Sequence, residues 1–398
     1  MIRMSELAIH GGAPIRKTLL PYGKQSIDET DVEAVAEALR SEFLTTGPLV
    51  DKFERVFAEM VGAKYAVAVS SGTAALHAAA SAAGLRAGDN AIVPPMSFVA
   101  TANCVRYVGA SVLFADVIPE TLTLSTEKTA RLVTAQTKAI VTVDYAGQPS
   151  DLEDLTTIAH RHGLVLIEDA AHALGATYHG RPVGSIADLT TFSLHPVKHI
   201  TTGEGGVVAT NDSSLATHLK AFRNHGIKVD YKQREKGMTW FYDVEGIGYN
   251  YRITDIQCAL GLSQLKRLKL WIDRRRVIAR AYDRAFAELP GVKPLVQLPD
   301  RESVFHLYVV LLDLNQFRAG RSEIFSALRA ENIGVNVHYI PIPWHQCYRD
   351  LGFRPGQWPN AEGAYERMLS LPIFPAMMDD DVGDVITAVR KVVAYYRK

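Results

Sequence analysis

The sequence predicts an α/β fold with a large domain built on a mostly parallel, helix-covered sheet, followed by a smaller C-terminal α+β domain. Two observations lead to this prediction. Short apolar strands alternate with amphipathic helices through the first half of the chain, and near residue 262 the pattern changes to a long charged helix followed by few strands. A length of 398 residues suits two domains. We place the large domain at 15–265 and the small domain at 266–398.

The first half of the chain supplies the elements of the predicted sheet. Two amphipathic helices at 28–41 and 51–62 come first, and the earlier one carries acidic residues in its first turn. The predicted strands that follow lie at 65–70, 90–95, 112–117, 138–145, 164–170, 190–195 and 205–211. Because apolar strands bracketed by helices are typical of sheets buried on both faces, the strands are expected to run mostly parallel.

The second half predicts fewer strands. After the long helix at 262–285, a strand is expected at 305–314 and a helix near SEIFSALRAENI. A strand GVNVHYI, 334–340, and a closing helix VGDVITAVRKVVAYYR complete the small domain.

Composition excludes several classes of protein. Lys+Arg and Asp+Glu both number 43, and no run of like charge stands out, so no nucleic-acid partner is expected. Cys104, Cys258 and Cys347 are far apart and suggest neither disulfides nor a zinc site, which fits a reducing compartment. No signal peptide and no apolar stretch of about 18 residues is evident, so we expect a cytoplasmic protein without a membrane partner.

Four features follow predicted strands, where an open parallel sheet gathers its chemistry. SSGTAAL, 70–76, opens a helix whose N–H groups suit a phosphate. Phe98 follows the second strand and Asp169 ends an apolar one. Ser193 and Lys198 follow the next.

Each feature also has a plain structural explanation. SGT is a common helix N-cap, Phe98 suits a core, Asp169 can cap a turn, and Lys198 can be solvated. His172 is better explained as an ordinary loop histidine than as a metal ligand. No histidine stands in a metal-binding motif, so no metal is expected. Together, however, the features match pyridoxal 5'-phosphate (PLP), which needs a lysine, a carboxylate at its pyridine nitrogen and donors for its phosphate.

Five blocks of sequence resemble the DegT/DnrJ/EryC1/StrS family of nucleotide-sugar aminotransferases, which have the fold-type I, aspartate aminotransferase-like architecture. The resemblance runs over nearly the whole chain, and the blocks that carry it are LTTGP (44–48), SSGTAAL (70–76), IEDAAHALGA (167–176), FSLHPVKHITTGEGG (192–206) and GYNYRITDIQCALGLSQL (248–265). The resemblance implies a PLP-dependent transaminase.

The resemblance also implies roles for single residues. Lys198 would form the Schiff base and move the proton, and Asp169 would pair with the pyridine nitrogen. The implied neighbours of the cofactor are Gly72, Thr73 and Ser193 at the phosphate, Phe98 on the ring face, and His172 beside the ring. Asn250 would reach the phosphate across a dimer interface, so a homodimer with shared active sites is expected.

Substrate residues are less firmly indicated. Thr45 and Thr46 stand where relatives place substrate contacts. Cations suited to a pyrophosphate are Arg252, Lys228 and Arg223. His306, Tyr308, His338 and Tyr339 are candidates for the sugar pocket, with purely structural roles equally open.

Three further segments, MSFVATAN, IVTVDYAGQPSDL and VNVHYIPI, resemble the branch of the family that serves pseudaminic acid-type nonulosonate biosynthesis. This implies transfer of an amino group from L-glutamate to C4 of a UDP-linked 4-keto-6-deoxy N-acetyl hexose. His199, where proline is expected, and GEGG, where AEGG is expected, depart from that branch.

Three alternatives stay open. The first is the same chemistry on another sugar, such as GDP-4-keto-6-deoxymannose, giving GDP-perosamine, or a UDP-4-keto pentose. The second is another fold-type I reaction, such as dehydration or β-elimination. The third is a non-enzymatic regulator, against which the presence of both Lys198 and Asp169 counts.

Overall fold

A computed structural model describes residues 6–229, 231–244 and 246–398 of the chain. The strands, in chain order, are β1 Tyr65–Val69, β2 Asn90–Val93, β3 Ser111–Phe114, β4 Thr137–Val143, β5 Val165–Asp169, β6 Thr177–Tyr178, β7 Arg181–Pro182, β8 Leu189–Ser193, β9 Gly206–Thr210, β10 Val292–Pro294, β11 Arg301–Glu302, β12 Tyr308–Leu312 and β13 Met368–Leu371. The α-helices are α1 Glu29–Arg40, α2 Pro48–Met60, α3 Gly72–Ala82, α4 Ala100–Tyr107, α5 Thr126–Leu132, α6 Leu152–Arg161, α7 Ser213–Phe222, α8 Tyr231–Lys236, α9 Asp255–Leu265, α10 Leu268–Phe286, α11 Arg321–Ala330, α12 Gln346–Arg349, α13 Pro359–Arg367 and α14 Asp379–Tyr396.

The central sheet has seven strands in the order β1-β9-β8-β5-β4-β2-β3. Pairings from β8 through β5, β4 and β2 to β3 are parallel, whereas β9 is antiparallel to both of its neighbours. All seven strands lie within the predicted stretches or one residue outside them, which confirms the predicted fold class. The carboxyl ends of β5 and β8 lie side by side, with Asp169 paired to Thr191 in register.

Apolar clusters on both faces of the sheet explain why its strands are so uniformly hydrophobic. One face packs on α3 and α4 through residues such as Val67, Ala75 and Val141, and the other on α2 and α9 through residues such as Phe53 and Val207. Buried aliphatic side chains each contribute about 1.5–3 kcal/mol to folding. The sheet is therefore a firm support for groups at its carboxyl edge.

Two predicted elements were wrong in detail. The helix expected at 262–285 is two helices, α9 and α10, because the amides of Lys266 and Arg267 bond to carbonyls three residues back and tighten the turn. The strand expected at 334–340 is reduced to one bridge, in which Asn336 and Ser370 exchange both backbone hydrogen bonds. Beyond it the chain bends away, and the Tyr339 amide contacts the Met96 sulfur instead of a strand.

Away from the central sheet, the second half of the chain has its own hydrophobic core, called the second apolar cluster below. It forms around a three-stranded antiparallel sheet, β10-β12-β13, with α10, α11 and α14 against it. Leu7 and Leu20 from the N-terminal segment pack into this same cluster. The division into domains at 15–265 and 266–398 stays a proposal; its boundary falls at the turn between α9 and α10. In the described part of the chain, no helix combines the length and apolar character needed to cross a membrane.

Candidate active site

The carboxyl edge of the sheet opens into a cavity of about 420 Å³. Of the eight residues predicted to bind a cofactor, all but Asn250 line it: Gly72, Thr73, Phe98, Asp169, His172, Ser193 and Lys198. Of the nine residues suggested for the substrate, His306, His338 and Tyr339 line it as well. The cavity thus combines residues from the ends of four strands, β1, β2, β5 and β8, with His306, His338 and Tyr339 from the second half of the chain.

Asp169 lies at the end of β5, and its carboxylate is fixed by two donors. The Thr101 hydroxyl donates to Oδ2 at 2.7 Å, and the Ala171 amide donates to Oδ1 at 3.2 Å. Burial raises the pKa of Asp169, while these two hydrogen bonds and the charge of Lys198 lower it. Asp169 is therefore a buried, oriented acid that faces the cavity.

Lys198 lies in the turn after β8. Burial lowers the pKa of its amine to about 8, an effect that Asp169 opposes and that the positive charge of Arg275 reinforces. Its Nζ lies 3.5 Å from Nε2 of His306. An amine with this pKa is neutral in a substantial fraction of molecules near neutral pH, which a nucleophile or a base requires.

Histidines surround the lysine. The rings of His172 and His306 are 4.4 Å apart, and His199 lies 5.5 Å from His306 between ring centroids. Burial holds the pKa of all three well below the ordinary value, and the charge of Lys198 adds to this lowering. The three rings are thus neutral at physiological pH and leave the lysine as the basic group.

One corner of the cavity is built by a close approach between helix and strand. Ser71 caps α3 by accepting a hydrogen bond from the Ala74 amide at 3.1 Å, so the structural explanation of SGT as an N-cap is also correct. The amides of the first turn have no partner within the helix and suit an anion. A Cβ on Gly72 would lie 2.8 Å from the Cβ of Ser193, and one on Gly206 would lie 2.3 Å from the Ser71 carbonyl oxygen.

The opposite wall carries aromatic and polar groups. The Tyr339 hydroxyl lies 3.1 Å from Nε2 of His172, and its ring is 6.0 Å from that of Phe98. Phe98 is 55% exposed, so it is not a core residue and presents its ring to the cavity. His338 contacts the Ser370 hydroxyl through Nδ1 at 2.9 Å.

Other predicted residues lie outside this cavity. Thr45 is bridged to Thr254, Asn250 is bridged to Asn224, and Arg252 donates to Asn224. Thr46, beside Thr45, does not line the cavity either. These four residues belong to segments next to the cavity but do not line it within one chain.

Two of the weaker suggestions have other partners in the structure and do not line the cavity. Arg223 bonds through Nη1 to Glu54 and to the Ala68 carbonyl. Tyr308 donates to Asp283 at 2.7 Å within the second apolar cluster, away from the cavity. Lys228 lies in a separate surface hollow with His218 and Ile247.

Three further residues contribute to the site without being predicted by any motif. Tyr22 lines the cavity from the N-terminal segment, which carried no motif. Thr101 holds Asp169, and its place one turn after Phe98 was the only signal. Arg275, only 1% exposed, donates to the carbonyls of Phe305, His306 and Ile373 and supplies a buried positive charge near Lys198.

Comparison with known proteins agrees with this geometry. Residues 25–390 match the DegT/DnrJ/EryC1/StrS aminotransferase family. The spore coat polysaccharide biosynthesis protein SpsC of Bacillus subtilis is 43% identical over 382 residues, covering 95% of this chain and 98% of that protein.

Solved structures give the same result. Helicobacter pylori PseC, an aminotransferase involved in the biosynthesis of pseudoaminic acid, superposes with a TM-score of 0.89 at 35% identity, covering 96% of this chain and 100% of PseC. The PLP form of the putative sugar aminotransferase Spr1654 of Streptococcus pneumoniae superposes with a TM-score of 0.88 at 30% identity, covering 95% and 99%. The chain belongs to the DegT/DnrJ/EryC1/StrS aminotransferase family and is a PLP-dependent sugar aminotransferase.

Proposed function

We propose that this aminotransferase moves an amino group from L-glutamate to C4 of a UDP-linked 4-keto-6-deoxy N-acetyl hexose, as in pseudaminic acid-type biosynthesis. One observation carries the proposal: Lys198 and Asp169 face one cavity whose corner is the N-terminus of α3. The likeness to PseC over nearly the whole chain supports the choice of sugar.

The cavity fits PLP on its own chemistry. Its anion-binding corner exists because positions 72 and 206 lack side chains, which leaves the helix amides and the Ser193 hydroxyl open to a phosphate. A lysine and a buried acid lie at the same edge of the sheet. When bound, PLP supplies an electron sink that stabilises negative charge on the amino-acid or sugar carbon.

Lys198 is the residue we assign to covalent attachment and to proton movement. Its lowered pKa provides a neutral amine at Nζ that accepts a proton from the donor's α-carbon and later returns one to the sugar's C4. His306, 3.5 Å away and neutral, accepts a hydrogen bond from the charged amine and keeps Nζ directed into the cavity.

Asp169 is the acid we assign to the pyridine nitrogen. Thr101 and Ala171 hold both of its oxygens, so it does not need to reorganise when it accepts a proton-bearing partner. His172 and Tyr339 form a hydrogen-bonded wall that we assign to the ring's edge, and Phe98 to its face.

The active form we propose is a homodimer with shared sites. Asn250 is exposed and outside the cavity of its own chain, as a residue that serves a partner's site should be. The exposed apolar side chains that precede it support an interface: Met238, Trp240, Phe241 and Ile247 are between 63% and 93% exposed.

A two-step spectroscopic assay tests the proposed reaction. Holoenzyme is first converted with L-glutamate, which removes the visible absorbance of the bound cofactor, and both the released 2-oxoglutarate and the remaining L-glutamate are then removed. UDP- and GDP-linked 4-keto sugars are then added separately, with the Lys198→Ala variant as control. Return of the band only with the UDP-linked N-acetyl sugar supports the proposal.

Other outcomes separate the alternatives. Return only with the GDP-linked sugar or a UDP-4-keto pentose keeps the aminotransferase and replaces its substrate. A band that L-glutamate never removes shows that the amino donor is a different one.

A further inference from the structure

Two buried acids lie directly behind the cavity and take no part in the chemistry proposed above. Asp144 follows the last residue of β4, and Glu168 immediately precedes Asp169 on β5. Both side chains are completely buried. A buried carboxylate without a partner is strongly disfavoured, so two neighbouring acids in a protein interior are not expected to be ionised at the same time.

Each acid has one oxygen bound to a donor and one that is not. Oδ1 of Asp144 accepts from the Ser150 amide at 2.9 Å, and Oε2 of Glu168 accepts from the Thr190 hydroxyl at 2.7 Å. Oδ2 of Asp144 and Oε1 of Glu168 are buried, and no donor in the described part of the protein reaches them. The two acids lie at the ends of adjacent strands, and these two oxygens are within reach of a mutual hydrogen bond, provided that one of the carboxyl groups carries a proton.

A hydrogen bond between two carboxyl groups requires a proton on one of them, because carboxylates only accept. Burial raises the pKa of Asp144 far above its ordinary value, and the charge of Glu168 raises it further. Burial also raises the pKa of Glu168, whereas hydrogen bonds from Asp144, from the Thr190 hydroxyl and from the Gly184 amide lower it. Because the pKa of both acids is raised, the pair holds one proton between its two carboxyl groups.

Asp169 is the third acid of this group. The Asp144 amide donates to the Asp169 carbonyl at 3.1 Å, which joins the ends of β4 and β5. The charge of Asp169 raises the pKa of both other acids. The nearby guanidinium of Arg301 is directed to the Pro149 carbonyl, Asp151 and Asp300 instead.

We propose that Asp144 and Glu168 share one proton and act as a positioning pair that supports the ionised Asp169 from behind the cavity. The inference rests on the proposed role of Asp169 toward the cofactor. Loss of the shared proton would place three carboxylates at two adjacent strand ends, and their repulsion would displace Asp169.

Infrared spectroscopy of the holoenzyme tests the shared proton without reference to turnover. The spectrum of the wild type at neutral pH should contain the carbonyl stretch of a protonated, buried carboxyl group. That band should be missing in Asp144→Asn, whose amide still accepts from Ser150 and donates to Glu168. It should persist in Asp188→Asn, which changes a partly exposed acid paired with His160.

The pH dependence of unfolding gives an independent measure. Because the folded pKa of Asp144 lies above the unfolded one, folded protein binds the extra proton between those two values, and stability falls as pH rises through that window. Relative to wild type, Asp144→Asn should gain up to tenfold in its folding equilibrium per pH unit across the window. Cofactor retention at alkaline pH should also be better in Asp144→Asn than in wild type, whereas Asp144→Val should lose it at all pH values.

The proposal is overturned if the infrared band keeps its full intensity in both Asp144→Asn and Glu168→Gln. It is equally overturned if the stability of Asp144→Asn follows pH in parallel with wild type. Glu168→Gln serves in both measurements if Asp144→Asn does not fold. Neither readout requires amino transfer, so a failure here is distinct from a failure of the proposed reaction.

Discussion

The sheet-edge half of the cavity and the segment 238–250 beside it are built in opposite ways. At the sheet edge, Asp169 and Lys198 are held by neighbours from the same chain, and their pKa values are shifted by burial. In the segment, Trp240 and Ile247 are 86% and 89% exposed, and Asn250 does not enter the cavity. The contrast teaches that a single chain forms the reactive half by itself, whereas the exposed residues of the segment suit the interface of the proposed homodimer.

The largest expected effect concerns the reactive half. Lys198→Ala should lower amino transfer by about 10³-fold or more, because covalent attachment and proton transfer are lost together. The variant should still bind PLP noncovalently, since the anion-binding corner remains. Lys64→Ala, which changes an exposed lysine, should match wild type. Sustained turnover by pure Lys198→Ala would refute the assignment.

The next prediction uses the pKa of Lys198. The neutral amine captures PLP, so the capture rate of apoprotein should rise about tenfold per pH unit below 8 and level off above it, unlike a lysine with the ordinary pKa of 10.5. The visible band reports this rate, and a simple alkylamine measured over the same pH range corrects for ionisation of PLP itself. A rate that still climbs steeply at pH 10 would contradict a buried, perturbed lysine.

The segment is tested by complementation. Asn250→Ala should weaken cofactor retention about tenfold, the worth of one hydrogen bond to a charged group. Co-expression with Lys198→Ala chains should create hybrid dimers with one intact site, so activity at limiting PLP should exceed that of either parent. If hybrids are no more active than the parents, Asn250 does not serve a partner's site.

The smallest effect on the chain itself is expected from the exposed apolar residues. Replacing Trp240 and Phe241 with serine should change the free energy of unfolding of the single chain by less than about 0.5 kcal/mol, because both are exposed. Association should weaken clearly, as sedimentation over a concentration series would show. Leu270→Ser, which changes an exposed residue on α10, provides the comparison. Unchanged association would place the interface elsewhere.

The sequence was most informative where chemistry and secondary structure coincide. Asp169 and Ser193 end apolar strands, so topology alone brings them to one edge, and Lys198 follows within five residues. The family resemblance supplied the roles assigned to these residues and also Asn250, which stays a prediction, as do the sugar and the cytoplasmic location.

The remaining site residues depend on contacts that no local pattern encodes. Tyr22 lines the cavity, although its N-terminal segment packs on the second apolar cluster. Arg275 is buried, although the charged sequence of α10 predicts an exposed helix. The strand expected at 334–340 failed because its residues bond to cavity and core partners rather than to a continuous ladder. Alternation of apolar residues alone therefore cannot distinguish a paired strand from an extended segment that lines a cavity.

The close approach at Gly72 and Gly206 has a practical consequence. Because glycine has no side chain at either position, α3 and the sheet can approach closely there. This close approach determines the width of the anion-binding corner. Adding one methyl group at position 72 would act as a wedge against Ser193, with the reactive lysine and its acid untouched. Such a variant would weaken binding of the cofactor's phosphate and leave the residues that act on its ring unchanged. Cofactor affinity and the rate of amino transfer could then be varied separately.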